Sequence, residues 1–534
     1  MPILGLQYDA LHTLPVELFE TILTYLDVES VKAIRLTNRE LAKRCIGPRF
    51  LASIQQPVLD VSLQNIRSLR ALASNLVLSK KIYSLTFVAT SIDSFELEGN
   101  LESGSYIERT TNGSIFGVKE LYYSPEEYSN AQSDLIWLKE EQEARAQESS
   151  SEMIELLQLT FKGFGELDAI HFDGSVIRGR TERGSPQPGE WHPLWMRAWH
   201  VLSLVMTAIV QSGVSVKKLD VYRRTARCCI PAGKFTSYAS GLDPTQLEIL
   251  SKSLQSLELS MSGEVRDALG LVEEPHDDGA KKGFLSRRSR SSKRFIFSRD
   301  DPRAAISDGT QGITSLFLKS APALRELDLT FRHTVEPGSG LMHSYDRIIE
   351  SIAHEAKFPM LDRCAFAGFH AKGESILLFL RKHSDLRSFT VQKCVLTTGS
   401  WTPIFAYVEQ SMPRLENLTL SNLRGKHMQN RRYAQQGMNS HLDSDDEQDN
   451  EQDDEQEGDG MVVLLPIWDT DPLPRGTSFG TTRGEAVHTR TFNREELKNG
   501  LVFRPLDKRP GRALGSPAHM NWINFNKERY GVPA

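Results

Sequence analysis

A chain of 534 residues exceeds one ordinary domain, so several structural units are expected. With 39% hydrophobic and 25% charged residues it reads as globular, and a net charge of −6 is too small at this length to suggest general nucleic-acid or membrane-surface binding. The start, MPILGLQYDALHTLPVELFE, has neither the basic opening nor the long apolar run of a signal peptide, and the apolar stretch from Val201 to Val210 is too short to cross a bilayer. Five cysteines without regular spacing point to free thiols in a reducing compartment, so a cytoplasmic or nuclear location, or both, is expected.

Residues 11 to 52 read as three short helices. Pro15 suits the first turn of the first helix, where its missing N–H costs nothing, and Leu18, Phe19, Ile22, Leu23 and Leu26 follow at helical spacing. Asp27 and Ser30 offer stops and caps before a second helix bearing Val31, Ile34 and Leu36. Thr37-Asn-Arg-Glu40 has the spacing of a capping box and opens a third helix, which Gly47-Pro48 closes. Helices this short are unstable alone and must bury their stripes against one another and a neighbour.

Beyond residue 80 a helical stretch followed by Leu-x-x-Leu-x-Leu, or a variant, recurs. Clear instances are Val216-x-x-Leu219-x-Val221, Leu254-x-x-Leu257-x-Leu259, Leu324-x-x-Leu327-x-Leu329, Leu361-x-x-Cys364-x-Phe366, Leu386-x-x-Phe389-x-Val391 and Leu415-x-x-Leu418-x-Leu420; weaker ones start at Ile82 and Leu167. Period-two alternation puts the apolar side chains of each strand on one face, and segments such as Glu374–Arg381 and Phe405–Met412 read as amphipathic helices between them. Central positions 364, 389 and 418 are 25 and 29 residues apart, whereas 257 and 327 are separated by an insertion. The expected architecture is therefore α/β: a three-helix unit at 8–52, then an irregular solenoid of about eight repeats over 53–425. Insertions fall near 98–150, with a charged helix around Leu135–Arg145, and near 264–311, which is rich in Ser, Lys and Arg and reads as a mobile loop. An acidic linker at 426–460, including Asp443–Asp459, cannot fold by burial; a Pro/Gly-rich strap at 461–534 retains Val462–Trp468 and Trp522–Phe525 for packing over a solenoid end.

Leu14-Pro15-Val16-Glu17-Leu18 and Ile22-Leu23-Thr-Tyr25-Leu26, with Val31, Arg35-Leu36 and Leu41, resemble the F-box. That resemblance covers about forty residues and implies three helices that dock on the Skp-type adaptor of a cullin–RING ubiquitin ligase. By position, Leu14, Pro15, Glu17, Leu18, Ile22, Leu23, Leu26, Val31 and Leu36 would form the adaptor-binding surface or its support. The third helix departs from the family by lacking an aromatic residue. The downstream strands look like those of leucine-rich-repeat F-box proteins, particularly divergent fungal ones, and Leu386–Cys394 fits the repeat form ending in Cys. This second resemblance implies a ligand-holding surface without naming the ligand.

No catalytic constellation emerges. Cys364 and Cys394 sit at core positions with no nearby His to activate them, adjacent Cys228-Cys229 suit neither a zinc pair nor an easy disulfide, and His192, His200, His370 and His383 lack HExxH or Cys-x-x-Cys companions. Gly163-Phe-Gly165 lacks the third glycine of a dinucleotide fingerprint, and no phosphate loop or nucleophile elbow is present. The chain is thus expected to be no enzyme and to need no cofactor or metal. The basic stretch Arg287–Arg294 reads as a solvated loop, a nuclear-import signal or a kinase-regulated loop; nucleic acid is disfavoured because no aromatic platform accompanies it. Alternation along the strands makes Asp328, Thr330, Thr390 and Thr419 the candidate target-binding face. The functional expectation is a subunit recruiting a target protein to a ubiquitin ligase, the alternative being a non-degradative scaffold or signalling protein.

Overall fold

Strands whose alternate residues are apolar pair edge to edge and build the main sheet. The computed structural model describes residues 14–26, 28–45, 55–110, 117–184, 191–225, 228–262, 271–273, 295–297, 312–318, 321–332, 346–421, 423–426, 463–466, 489–501 and 503–504. The basic stretch at 287–294, the acidic tract at 443–459 and the segment at 522–525 lie outside these residues, as does most of the insertion expected at 264–311.

Three short helices come first: α1 (Val16–Tyr25), α2 (Val28–Thr37) and α3 (Arg39–Arg44). The main sheet follows. Its ten principal strands are β1 (Val58–Asp60), β2 (Ser84–Ile92), β3 (Glu166–Ile177), β4 (Ser215–Val221), β5 (Ser256–Ser262), β6 (Glu326–Arg332), β7 (Arg363–Ala367), β8 (Ser388–Gln392), β9 (Asn417–Ser421) and β10 (Thr489–Asn493). They lie side by side in chain order, and the short strands Arg183–Gly184 and Ile230–Pro231 bring the sheet to twelve. From β1 to β9 every neighbour is parallel; β10 alone among the ten runs antiparallel, along β9.

The expected F-box followed by a repeat solenoid is corrected by this architecture. The chain forms an α/β layer built on one large, mostly parallel twelve-stranded sheet, and among the described residues no solenoid is found. The Leu-x-x-Leu-x-Leu pattern reports burial in that sheet. Its first position is buried in the turn before the strand at Leu254, Leu324, Leu386 and Leu415 and within the strand at Leu167 and Val216, and the next two point from the strand into the core. Register aligns the middle positions into one line, Leu219, Leu257, Leu327, Cys364, Phe389 and Leu418, and the last into another, Val221, Leu259, Leu329, Phe366, Val391 and Leu420. These lines hold across connections as unequal as 263–325 and 368–387, so pairing needs no uniform repeat.

Helices cover the apolar face. In chain order the main helices are α4 (Leu63–Ala73), α5 (Pro125–Ala146), α6 (Ser150–Phe164), α7 (Trp191–Ser212), α8 (Pro244–Lys252), α9 (Asp346–Glu355), α10 (Gly373–Lys382) and α11 (Trp401–Ser411), ahead of the final short helix α12 (Arg494–Lys498), and all but α5 give buried side chains to the main core. Leu157, Val205, Ile352, Phe379 and Phe405 from these helices join the strand residues in one core cluster. The charged helix expected around 135–145 starts earlier, at Pro125, where Ser124 and Glu127 form a reciprocal capping box. Its far end is tied to the sheet: Arg145 donates to Asp60 at 2.7 Å and to the Thr90 carbonyl at 3.0 Å. After β7 the chain turns at Gly368 (φ +76°), where a Cβ would lie 2.1 Å from the Phe331 carbonyl oxygen, so no larger residue fits.

The β10–α12 segment closes one end of the sheet. Phe492 and Leu497 are buried in the main core, Thr491 meets Thr419 through their hydroxyls at 2.9 Å, and Arg494 donates to the Met412 and Leu415 carbonyls at 3.1 and 3.2 Å. Truncating Phe492 to Ala is expected to cost about 3–5 kcal/mol, the range for emptying a buried aromatic site. Chemical denaturation checks this; a loss below about 0.5 kcal/mol would mean that β10 adds nothing to the core.

Candidate interaction surfaces

The three N-terminal helices have a core of their own. Phe19, Leu23, Val31, Leu41 and Cys45 are buried together, with Leu14, Leu26 and Ile34 packed against them. Arg44 clamps the unit, donating to the Leu14 carbonyl while its guanidinium sits 4.7 Å from the centre of the Phe19 ring. The expected capping box at Thr37 is replaced by a cap one residue later: Asn38 accepts from the Leu41 N–H at 2.8 Å, while the Thr37 hydroxyl donates to the Ile34 carbonyl inside α2. Asn caps as well as Thr, and the register of Leu41 in the core selects it.

The residues carried over from the F-box resemblance divide. Leu23 and Val31 are in the core, and Leu14 and Leu26 are half-buried against it. Pro15, Glu17, Leu18, Ile22 and Leu36 are exposed. Leu18 (55% exposed), Ile22 (36%) and Tyr25 (85%) recur at i, i+4 and i+7, so they share one face of α1, and Leu36 on α2 is 88% exposed. Tyr25 was missing from the sequence-predicted set, although the i+7 spacing from Leu18 marks it.

The second surface is the face of the main sheet opposite the core lines, where the residues alternating with them stand. Across it run, in register, His171, Asp220, Glu258, Asp328, Ala365, Thr390, Thr419 and Thr491. The four predicted target-binding residues all belong to this face: Asp328, Thr390 and Thr419 in that row, and Thr330 two residues beyond Asp328 on β6. What the sequence reading missed is the ion-pair lattice around them. Asp220 Oδ2 lies 3.0 Å from His171 Nδ1 and 2.9 Å from Arg224 Nε. Arg223 pairs with Asp328 at 3.0 Å, Lys218 pairs with Glu258, and Arg363 pairs with Glu326. At the β1 edge Asp60 takes both Arg145 and Arg183. A signal was available: the residue between the two core positions is acidic in three successive motifs, at 220, 258 and 328.

The Arg223-Arg224 pair is placed by Tyr222, a buried residue held in the left-handed region (φ +55°), whose hydroxyl donates to the Ala198 carbonyl at 2.9 Å. Such a conformation costs about 1–3 kcal/mol and persists because packing fixes it. Burial pushes the Asp328 carboxyl above its ordinary range; Arg223 pulls it back, while Glu258 and Asp220 push it further up.

Elsewhere the titratable groups serve the core. All five cysteines are buried as free thiols, and burial pushes Cys394 up to about 12, which leaves it un-ionised and inert at neutral pH. The His383 ring bridges the Phe358 N–H at 3.1 Å and the Phe379 carbonyl at 2.8 Å, a role that needs the neutral tautomer and agrees with burial lowering its pKa. Among the described residues no group of three or more His, Cys, Asp or Glu is placed to hold a metal ion, and no helix is long and apolar enough to cross a membrane. A gap of about 10 Å³ between sheet and helices, lined by Met206, Ile209, Val216, Leu219, Leu250, Leu254 and Phe317, is apolar and too small to hold a ligand. No protein-family model matches this chain, and no curated protein matches it.

The raised Asp328 carboxyl fixes a pH dependence. The folded chain binds this proton more readily than the unfolded chain does, so the residue's contribution to stability falls as pH rises through the raised folded value. As pH rises from the ordinary carboxylate range toward neutrality, the stability of the wild type relative to Asp328→Asn is therefore expected to decline and then level off. Denaturation midpoints of both proteins across that window check it, and a relative stability that rises with pH would refute it.

Proposed function

We propose that this chain is an F-box-type bridging subunit, with α1–α3 docking on the Skp-type adaptor of a cullin–RING ubiquitin ligase and the open face of the main sheet holding a target protein. The observation that carries this reading is the exposed apolar face of Leu18, Ile22 and Tyr25 on α1, with Leu36 exposed on α2, in a small helical unit with its own core. Large apolar side chains grouped on a surface mark an interaction site, and the Leu14–Leu18 motif says which class of partner fits. The sheet face supports the second half: a polar, mixed-sign surface suits a protein, through hydrogen bonds and charge complementarity, better than a lipid. In this reading the chain contributes proximity, raising the effective concentration of the target beside the transferring enzyme.

Leu18→Glu with Ile22→Glu is expected to weaken adaptor binding at least about thirtyfold, the ~2 kcal/mol effect of losing an interface anchor, with helix content unchanged. Leu23→Ala acts differently, because it opens the core of the unit, and should lower its stability. Undiminished co-purification of the double variant with the adaptor refutes the docking assignment.

Receptor and scaffold are separated by turnover. Deleting residues 14–45 and reversing charge at Asp328 should lengthen the half-life of the same cellular protein, because both break one bridge at opposite ends. A turnover measurement in which neither lengthens any half-life leaves only the scaffold role.

A further inference from the structure

We infer that the centre of the open sheet face is a docking site for an arginine- or lysine-bearing segment of a partner protein, received by Asp220, Glu258 and Asp328. This deepens the target-holding reading above by giving the target a chemistry. The three carboxylates stand in register on β4, β5 and β6, so neighbours are about 4.8 Å apart and can be bridged by one extended segment crossing the strands.

The acidic row alone would not make a site. Its hydrogen bonding is incomplete, however, in a way that has a sign. Asp220 is 1% exposed, yet among the described residues Oδ1 has no hydrogen-bond partner; Oδ1 of Asp328 has none either. Beside them Thr330, 9% exposed and not acidic, also leaves its hydroxyl oxygen without a partner. All three are oxygens able to accept, and all are fixed by strands. A buried acceptor without a donor costs about 1–3 kcal/mol, and a charged donor satisfies a carboxylate best. The cations already present do not fill this need. Arg223 and Arg224 each take the other oxygen, Oδ2, and both reach in from the turn after Tyr222 with side chains 33% and 59% exposed. They hold the carboxylates as an incoming basic side chain would, while remaining displaceable into water. An acidic partner fits less well, because it would have to strip the arginines away and leave three buried acceptors unmet.

The test uses the full-length chain with the acidic residues between 443 and 459 changed to Asn or Gln, so that this tract cannot itself capture cations. The probe is a fluorescent nona-arginine peptide, with nona-glutamate as its counterpart, read by anisotropy at fixed low salt. Nona-arginine should bind and nona-glutamate should not, and Asp220→Asn with Asp328→Asn should weaken nona-arginine at least about tenfold. Should that variant fail to fold, Thr330→Val removes an acceptor without a charge and should still weaken binding, about two- to fivefold. Arg223→Ala with Arg224→Ala should instead tighten binding, whereas Arg387→Ala with Arg414→Ala, the same charge change at exposed sites elsewhere, should leave it unchanged. Equal tightening by both arginine pairs, or unaltered binding by the carboxylate and Thr330 variants, overturns the inference as general electrostatics. Adaptor co-purification measured on the same proteins keeps the two readings apart: adaptor retained with peptide lost sinks only this site, and the reverse sinks only the docking of α1–α3.

Discussion

The line of side chains Leu219, Leu257, Leu327, Cys364, Phe389 and Leu418 constrains the rest of the molecule, because each is buried and each is hydrogen-bonded in register with the next strand. Side chains alternate with period two, so a slip of one residue in any strand would turn its leucines to water and its charges into the core. Parallel sheets commonly have both faces covered. Here helices pack on the apolar face, and the opposite face carries acids on adjacent strands. Asp220 is fully buried and Glu258 and Asp328 partly so, and each needs a cation within reach. Arg223, Arg224, Lys218 and Arg363 provide one, and the lattice follows from placing acids on adjacent parallel strands.

The α1–α3 unit obeys a different economy. Its core contains five buried residues in a cluster separate from that of the sheet, and helices of ten, ten and six residues are each below self-sustaining length. A unit so small gains stability from anything that covers Leu18, Ile22, Tyr25 and Leu36, since a ligand that binds only the folded form shifts the folding equilibrium by mass action. Under the bridging proposal, adaptor docking and completion of this fold are one event, while the sheet, with its much larger core, stays folded whether or not a partner is present.

Much of this was legible in the sequence. Where burial alone decides, the motif sufficed: Leu254, Leu257 and Leu259, and their counterparts on the other strands, are in the core, and the alternation that buries Leu327 and Leu329 also places Asp328 on the open face. Cys364 and Cys394 were legible as core thiols for the same reason. The continuity of the sheet was not legible, because lateral pairing joins residues far apart in sequence and leaves no local spacing behind. A similar motif at 25- and 29-residue intervals therefore suggested stacked units. Nor was the lattice legible: Arg145 reaches Asp60 from a helix eighty-five positions away, and Arg223 reaches Asp328 only because Tyr222 adopts a left-handed turn that a tyrosine does not advertise.

The unequal connections explain why a sheet can keep register where a period fails. Closing a loop costs entropy that grows only logarithmically with length, about 0.6 kcal/mol for each doubling. The connection over 263–325 is therefore little more expensive than the one over 368–387, whereas losing the pairing of β5 with β6 would forfeit seven aligned residue pairs and the burial of Leu257, Leu259, Leu327 and Leu329. Strand pairing wins by a wide margin, and the chain is free to vary what it inserts between strands without moving them. The consequence for function is direct. Asp220, Glu258 and Asp328 are held by hydrogen bonds on both sides of their strands, so the chemistry at the centre of the open face is set by the rigid part of the fold and is indifferent to the long connection that leaves β5 beside it.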